Sequence, residues 1–244
     1  MLRFLKNTQQ NSLHQSYFSC HRRFKHEPRK QVRSFSTIDM NPMIDEKDWL
    51  KVVGHLESFE SNRDQLLKQS REIQKRCKQA TYLLHKGNIL EAAVLLVETE
   101  ALAAASQNLV AAHPSMREGA LSFAMEEYVQ ALLYKLFLEE GRLAKCSEVP
   151  LVEPEEYLAG VLNFTEELSR YAVHRATQRD TNAVQRCREL VDAVMGQFMQ
   201  FDLRNSSLRR KYDGLKYTLK KLENTLYELS LVEGPSGQVP PAPT

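Results

Sequence analysis

The chain has 244 residues, with 33 lysines and arginines against 31 aspartates and glutamates, 42% hydrophobic residues, 9 glycines and 9 prolines. This balance excludes a wholly disordered polymer, and so few turn residues argue against an all-β protein. No apolar run approaches the ~18 residues of a membrane-spanning helix, which leaves an all-α chain with room for one large domain and appendages.

Residues 1–38 stand apart. They hold eight basic residues, among them Arg22, Arg23 and Arg33, against one acid, Glu27, so the remainder is mildly acidic. Arginine-rich, serine-rich and acid-poor is the composition of an organelle transit peptide. The Arg33-Ser34-Phe35-Ser36 run looks like a mitochondrial cleavage region, so mitochondrial localisation is expected. A basic disordered tail is the alternative. Cys20, Cys77, Cys146 and Cys187 are scattered without a C-x-x-C pair and read as four reduced thiols.

Residues 44–232 read as one helical domain. Trp49, Val52, Leu56, Phe59, Leu66, Ile73, Cys77, Ala80 and Leu84 fall on one three-and-four seam, predicting a long amphipathic helix over 45–86. At ~1.5 Å per residue it spans roughly 60 Å, more than one small core covers. Gly87-Asn88 should end it. Further helices are expected over 89–111, 116–145, 155–177, 181–201 and 206–232. A break lies at 147–154, and residues 233–244 form a proline-rich disordered tail.

In the last helix Leu208, Tyr212, Leu215, Leu219, Leu222, Leu226 and Leu229 form a packing seam. Arg209, Lys216 and Lys220 make one flanking row, and Arg210, Tyr217 and Lys221 the next. Two basic rows on one helix can track a phosphate backbone, and a solvated face gives the same pattern. Gly214 in mid-helix costs ~1 kcal/mol relative to alanine and points to close backbone packing there.

The run from Asn205 through Ser206-Ser207-Leu208-Arg209-Arg210-Lys211-Tyr212-Asp213-Gly214-Leu215-Lys216-Tyr217 resembles the C-terminal signature of the translin family. So does Glu156-Tyr157-Leu158-Ala159-Gly160-Val161-Leu162 with Glu167-Leu168-Ser169-Arg170 after it. The resemblance implies a six- to seven-helix subunit with a long first helix, assembling with itself into a hollow, octamer-like barrel that binds single-stranded RNA and DNA. It also implies a TRAX-like partner subunit, with which such barrels form a magnesium-dependent endoribonuclease. Cytoplasm and nucleus are the locations typical of the family.

In the family's catalytic subunits, two glutamates three apart face an aspartate and a glutamate four apart on another helix. Such spacings put each pair on one helix face, offering Mg²⁺ hard anionic ligands. Carried onto this chain, the set is Glu127, Gln130, Asn163 and Glu167, with amides at two of the four places. Any catalysis or weak metal binding therefore falls to Glu127 and Glu167. The expected function is nucleic-acid binding with little or no nuclease activity. The alternatives are a Mg²⁺-dependent endoribonuclease, alone or with a catalytic partner, and a helical scaffold that binds no nucleic acid. Glu126 and Glu166 point roughly 100° away around their helices and read as poor substitutes. The two retained acids could instead be held structurally by Arg117, Arg170 or Lys135. His113, Arg117 and Arg170 are further candidates for an RNA-facing surface, Arg117 the foremost.

Overall fold

The computed structural model describes residues 44–233, so the leader 1–38 and the tail beyond 233 lie outside the described residues. Among the described residues there are six α-helices and no strand. None of the helices is long and apolar enough to cross a membrane. The compact body begins at Asp48.

Helix α1 (Glu46–His85) has 40 residues. Its seam becomes dry only at Leu66 and continues through Ser70, Ile73, Cys77, Ala80 and Leu84. Ahead of that point Trp49, Leu50 and Leu56 are 60%, 69% and 55% exposed. The helix closes as its sequence requires. Gly87 takes φ +82°, the Asn88 N–H donates to the Leu83 carbonyl, and the Gly87 N–H donates to that of Leu84.

Helix α2 (Ile89–Ala112) is apolar on most of its circumference. Ala92, Leu96, Ala103 and Val110 enter the core, while Leu90, Val94 and Val97 face outward. Thr99 and Ser106 are buried on the inner face, and their hydroxyls donate to the carbonyls of Leu95 and Leu102.

Helix α3 (Ala120–Glu140) is shorter than the expected 116–145. A 3₁₀ turn at Pro114–Met116 precedes it, and Gly119 and Gly141 adopt φ +93° and +71° at its two ends. Neither conformation can propagate a right-handed helix, so Gly119 bounds α3 at its start and the left-handed Gly141 at its end. A second 3₁₀ turn, Cys146–Glu148, follows just beyond the expected helix and runs into the expected break.

Helix α4 (Pro154–Thr177) starts with proline at its first position and a Glu153 N–H donating to Glu156 Oε2 at 2.9 Å. Helix α5 (Thr181–Phe198) is capped by Asp180, which accepts from the Ala183 N–H at 3.0 Å, and stops three residues short of expectation. Helix α6 (Ser207–Glu233) takes in Glu233, which reads from sequence as tail. Its leucine seam packs inward as expected, with Leu215, Leu222 and Leu229 buried.

Helix α3 is deeply buried, with Tyr128, Val129, Leu133 and Tyr134 fully covered. It packs most closely on α4, and Gly160 is the reason. A Cβ there would lie 2.4 Å from both Cβ and Cγ1 of Val129 and 3.1 Å from the Glu126 carbonyl oxygen. Gly214 behaves otherwise. A Cβ at that position would meet nothing within 4 Å in the subunit, so the expected backbone contact is not there.

Candidate functional site

The α3–α4 crossing determines which side chains converge. With Gly160 against Val129, the next turns bring Glu126, Glu127 and Gln130 of α3 opposite Asn163, Glu166 and Glu167 of α4. Helix α1 adds Gln74, Lys78, Thr81 and Tyr82, and α6 adds Lys211. Together they line a polar cavity of about 510 Å³. The four positions named from sequence are therefore gathered in one place.

Their partners are the surprise. Lys211 Nζ donates to Glu126 Oε2 at 2.5 Å and to Asn163 Oδ1 at 2.9 Å. Glu126 is buried, so its carboxylate is matched by an ammonium rather than by water. On the opposite wall, His85 Nε2 meets Glu167 Oε2 at 2.5 Å, and the Tyr134 hydroxyl lies 3.0 Å from His85 Nδ1. Burial pushes the Tyr134 phenol above its ordinary range, so it stays protonated beside the ring. The Glu167 carboxylate can only accept, so His85 Nε2 carries a proton and donates it to Glu167. Gln130 Nε2 donates to the other Glu167 oxygen at 3.4 Å, and Arg170 stands 3.9 Å away.

Glu127 has no hydrogen-bond partner among the described residues. Its nearest cation is Lys78, 3.9 Å away and largely exposed. Burial raises its carboxyl above the ordinary range, against the opposing pull of Lys78 and Lys211.

The expectation that Glu126 points away from the cavity is corrected. It does turn from Glu127, but α6 crosses on that side and brings Lys211 to meet it. Nor do Arg117 and Lys135 hold the retained acids. Arg117 Nη2 donates to Glu156 Oε2 at 2.6 Å and to the Leu151 carbonyl at 3.1 Å, and its side chain is only 16% exposed. Lys135 pairs with Glu139 one turn along its own helix. Arg117 is thus engaged inside the subunit rather than on an open face. His113 packs edge-on against His55 and Phe59.

The Mg²⁺ suggested by the resemblance does not suit these donors. Mg²⁺ demands near-octahedral oxygen coordination at ~2.0–2.1 Å, with anionic ligands to offset its dehydration. The Asn163 oxygen and one Glu126 oxygen accept from an ammonium, Gln130 presents its NH₂ toward Glu167, and Glu167 accepts from His85. Among the described residues no three histidine, cysteine, aspartate or glutamate side chains converge as a metal would require.

The basic rows of α6 lie outside this cavity. Arg209, Arg210, Lys216, Lys220 and Lys221 are all exposed. Arg209 pairs with Asp213 at 3.0 Å, whereas the other four make no ion pair with the described residues. Tyr217 is 67% exposed between them, with Lys216 Nζ 5.0 Å from its ring centroid.

Comparison with known proteins agrees with this architecture. The sequence profile of the translin family matches residues 61–233, most of the chain. The chain belongs to the translin family. Translin of Gallus gallus is 42% identical over 77 residues, which is 32% of this chain and 34% of that protein. The fission yeast (Schizosaccharomyces pombe) translin-associated protein X homolog is 21% identical over 210 residues, covering 77% of this chain and 89% of that one. The matches to vertebrate translins span about a third to a half of those proteins' length. Among solved structures, that of apo-NeC3PO superposes with a TM-score of 0.70 at 20% identity, covering 78% of this chain and all of that one. The AfC3PO–duplex RNA complex follows at 0.66 and 23%, covering 76% and 97%. Likeness at this identity establishes the shared helical fold of this translin-family chain.

Sequence reasoning missed Lys211, His85, Tyr134 and Lys78. A signal existed for the first. Lys211 is three residues after Leu208 and four before Leu215, so it borders the buried seam, unlike Arg209 and Arg210. His85 lies at the very end of α1, where only the tertiary fold brings it to Glu167.

Proposed function

We propose that this chain is a single-stranded RNA- and DNA-binding subunit of a translin-type oligomer, with little or no nuclease activity of its own. The observation that carries the reading is the pair of exposed basic rows on α6 with Tyr217 between them. Such a surface neutralises backbone phosphates without reading base edges, and an exposed tyrosine ring adds a platform for one unstacked base. Binding is therefore electrostatic and tolerant of sequence.

Assembly is supported by what the subunit leaves uncovered. The first turns of α1 and the outer face of α2 present Trp49, Leu50, Leu56, Leu90, Val94 and Val97 to solvent. Apolar surface on this scale is characteristic of an interface. A TRAX-like partner subunit is a candidate neighbour in such an oligomer beside further copies of this chain. The weak catalytic prospect rests on Gln130 and Asn163, which put amides at two of the four positions that carry carboxylates in the family's catalytic subunits.

The test is fluorescence anisotropy of a labelled single-stranded RNA across a salt series, on oligomer whose mass is checked separately. Affinity should fall steeply with salt. The triple variant Arg209→Gln, Lys216→Gln, Lys220→Gln should weaken binding and flatten the log–log slope by about 2, at ~0.7 per lost phosphate contact on a single strand. An unchanged slope with the oligomer intact would place binding elsewhere. Brisk Mg²⁺-dependent cleavage by the unaltered homomer, abolished by Glu127→Ala, would overturn the non-catalytic part.

A further inference from the structure

We propose that the ammonium of Lys211 takes the place of a divalent cation in the α3–α4 cavity, so that the pocket is closed by charge from within and serves to latch α6. The inference concerns the ion alone and stands whether or not the chain binds RNA.

Three observations converge on it. First, Lys211 Nζ bridges two helices at once, reaching Glu126 of α3 at 2.5 Å and Asn163 of α4 at 2.9 Å. A cation holding carboxylate and amide oxygens from two facing helices does the electrostatic work of a metal ion, at hydrogen-bond rather than coordination distance. Second, the amide at Asn163 suits an ammonium. Its oxygen accepts one N–H and brings no further charge, whereas an aspartate beside Glu126 would leave one carboxylate in excess over a single +1 partner. Third, the far wall is satisfied without any ion, because Glu167 takes hydrogen bonds from His85 and Gln130. A divalent ion entering the cavity would meet the Lys211 charge and find most of its oxygen ligands already engaged.

The arrangement also gives the lysine a mechanical role. Lys211 sits in the first turns of α6, immediately after the exposed Arg209 and Arg210. Its bonds to α3 and α4 therefore add to the buried Leu215, Leu222 and Leu229 seam in holding the rotation of α6 about its own axis, and with it the direction in which the two basic rows face. One side chain couples the closed cavity to the outer surface.

The test uses Mn²⁺ as a spectroscopic probe on the full-length oligomer, read by loss of the free-ion electron paramagnetic resonance signal and by thermal shift. The unaltered protein should show no saturable Mn²⁺ binding up to about 1 mM, the weak end of protein sites for hard divalent ions, and no Mn²⁺-induced rise in Tm. Lys211→Met should lower Tm, with part of the loss restored by Mn²⁺. Lys211→Arg, which keeps the charge, should not respond to the ion. The triple variant Lys211→Met, Gln130→Glu, Asn163→Asp should bind one Mn²⁺ per chain and release it to excess Mg²⁺. If the variants lacking Lys211 fail to fold, the double variant Gln130→Glu, Asn163→Asp decides, and it should stay unresponsive while the lysine remains. Saturable binding by the unaltered protein that is lost in Glu127→Gln overturns the proposal, as does Mn²⁺ binding by the double variant.

Discussion

Replacing Gly160 with alanine tests the feature that sets the site's geometry. Alanine would ordinarily stabilise a helix interior by ~1 kcal/mol over glycine. Here the new methyl would lie 2.4 Å from Val129 Cβ, at least 1 Å inside ordinary carbon–carbon contact near 3.4–4 Å. Val129 Cβ is fixed by its own backbone, so no rotamer change relieves the clash and α3 must move off α4. Overpacking of this kind costs about 1–3 kcal/mol, and the upper part of that range applies because the obstacle is rigid. Set against the propensity gain, the net loss is about 1–2 kcal/mol, or roughly 2–8 °C in Tm at ~2–4 °C per kcal/mol for a chain of this size. Gly214→Ala is the matched control. Nothing lies within 4 Å of its added carbon in the subunit, so it should raise Tm by about 2–4 °C. Both should be measured by scanning calorimetry at one protein concentration, since the Tm of an oligomer depends on it. A Gly160→Ala protein as stable as the parent would refute the close crossing.

The remaining expectations concern single groups. Arg117→Ala should destabilise by about 3–5 kcal/mol, because it strands the buried Glu156 carboxylate, yet leave the salt dependence of RNA binding unchanged; denaturant titration and anisotropy separate the two effects. Burial raises the Glu127 carboxyl pKa, so its contribution to stability is present below the unfolded pKa and lost as pH rises through the folded one. Glu127→Gln should thus gain stability over the parent at neutral pH and lose that gain toward pH 4, as urea midpoints at several pH values would show. Cys77 and Cys187 are buried with thiols pushed up to about 12, so in a Cys20→Ser background only the exposed Cys146 should react promptly with a disulfide reagent at pH 8. Residues 1–38, fused to a fluorescent reporter, should direct it to mitochondria, and Arg22, Arg23 and Arg33 changed to glutamate should abolish this; a diffuse unmodified fusion would reduce the leader to a tail.

The helices were legible because each carries its own period and punctuation. The α1 seam and its Gly87-Asn88 stop and the α6 leucine ladder depend only on local spacing. The α3 ends are not legible in this way, because Gly119 and Gly141 stop the helix only through the positive φ they take in the folded chain. The four site positions were legible through the family resemblance, yet their partners were not. His85 and Lys211 come from the end of one helix and the start of another, 82 and 85 residues from the acids they meet. Sequence spacing carries no trace of such pairs. Gly160 and Gly214 show the same limit, since the residue type is identical and only the neighbouring helix tells them apart.

The Lys211 contact has a consequence for how the chain is made. Helices α3 and α4 are neighbours in sequence and can pair as soon as both have left the ribosome. The lysine that neutralises Glu126 is translated 85 residues after it, in the last of the six described helices. Until then the nascent hairpin carries an acid without its counter-charge in what will become the interior, and any premature stop before residue 211 makes that condition permanent. Helix α6 is therefore what completes the interior between α3 and α4, and fragments ending at α5 should be poor starting points for a minimal domain.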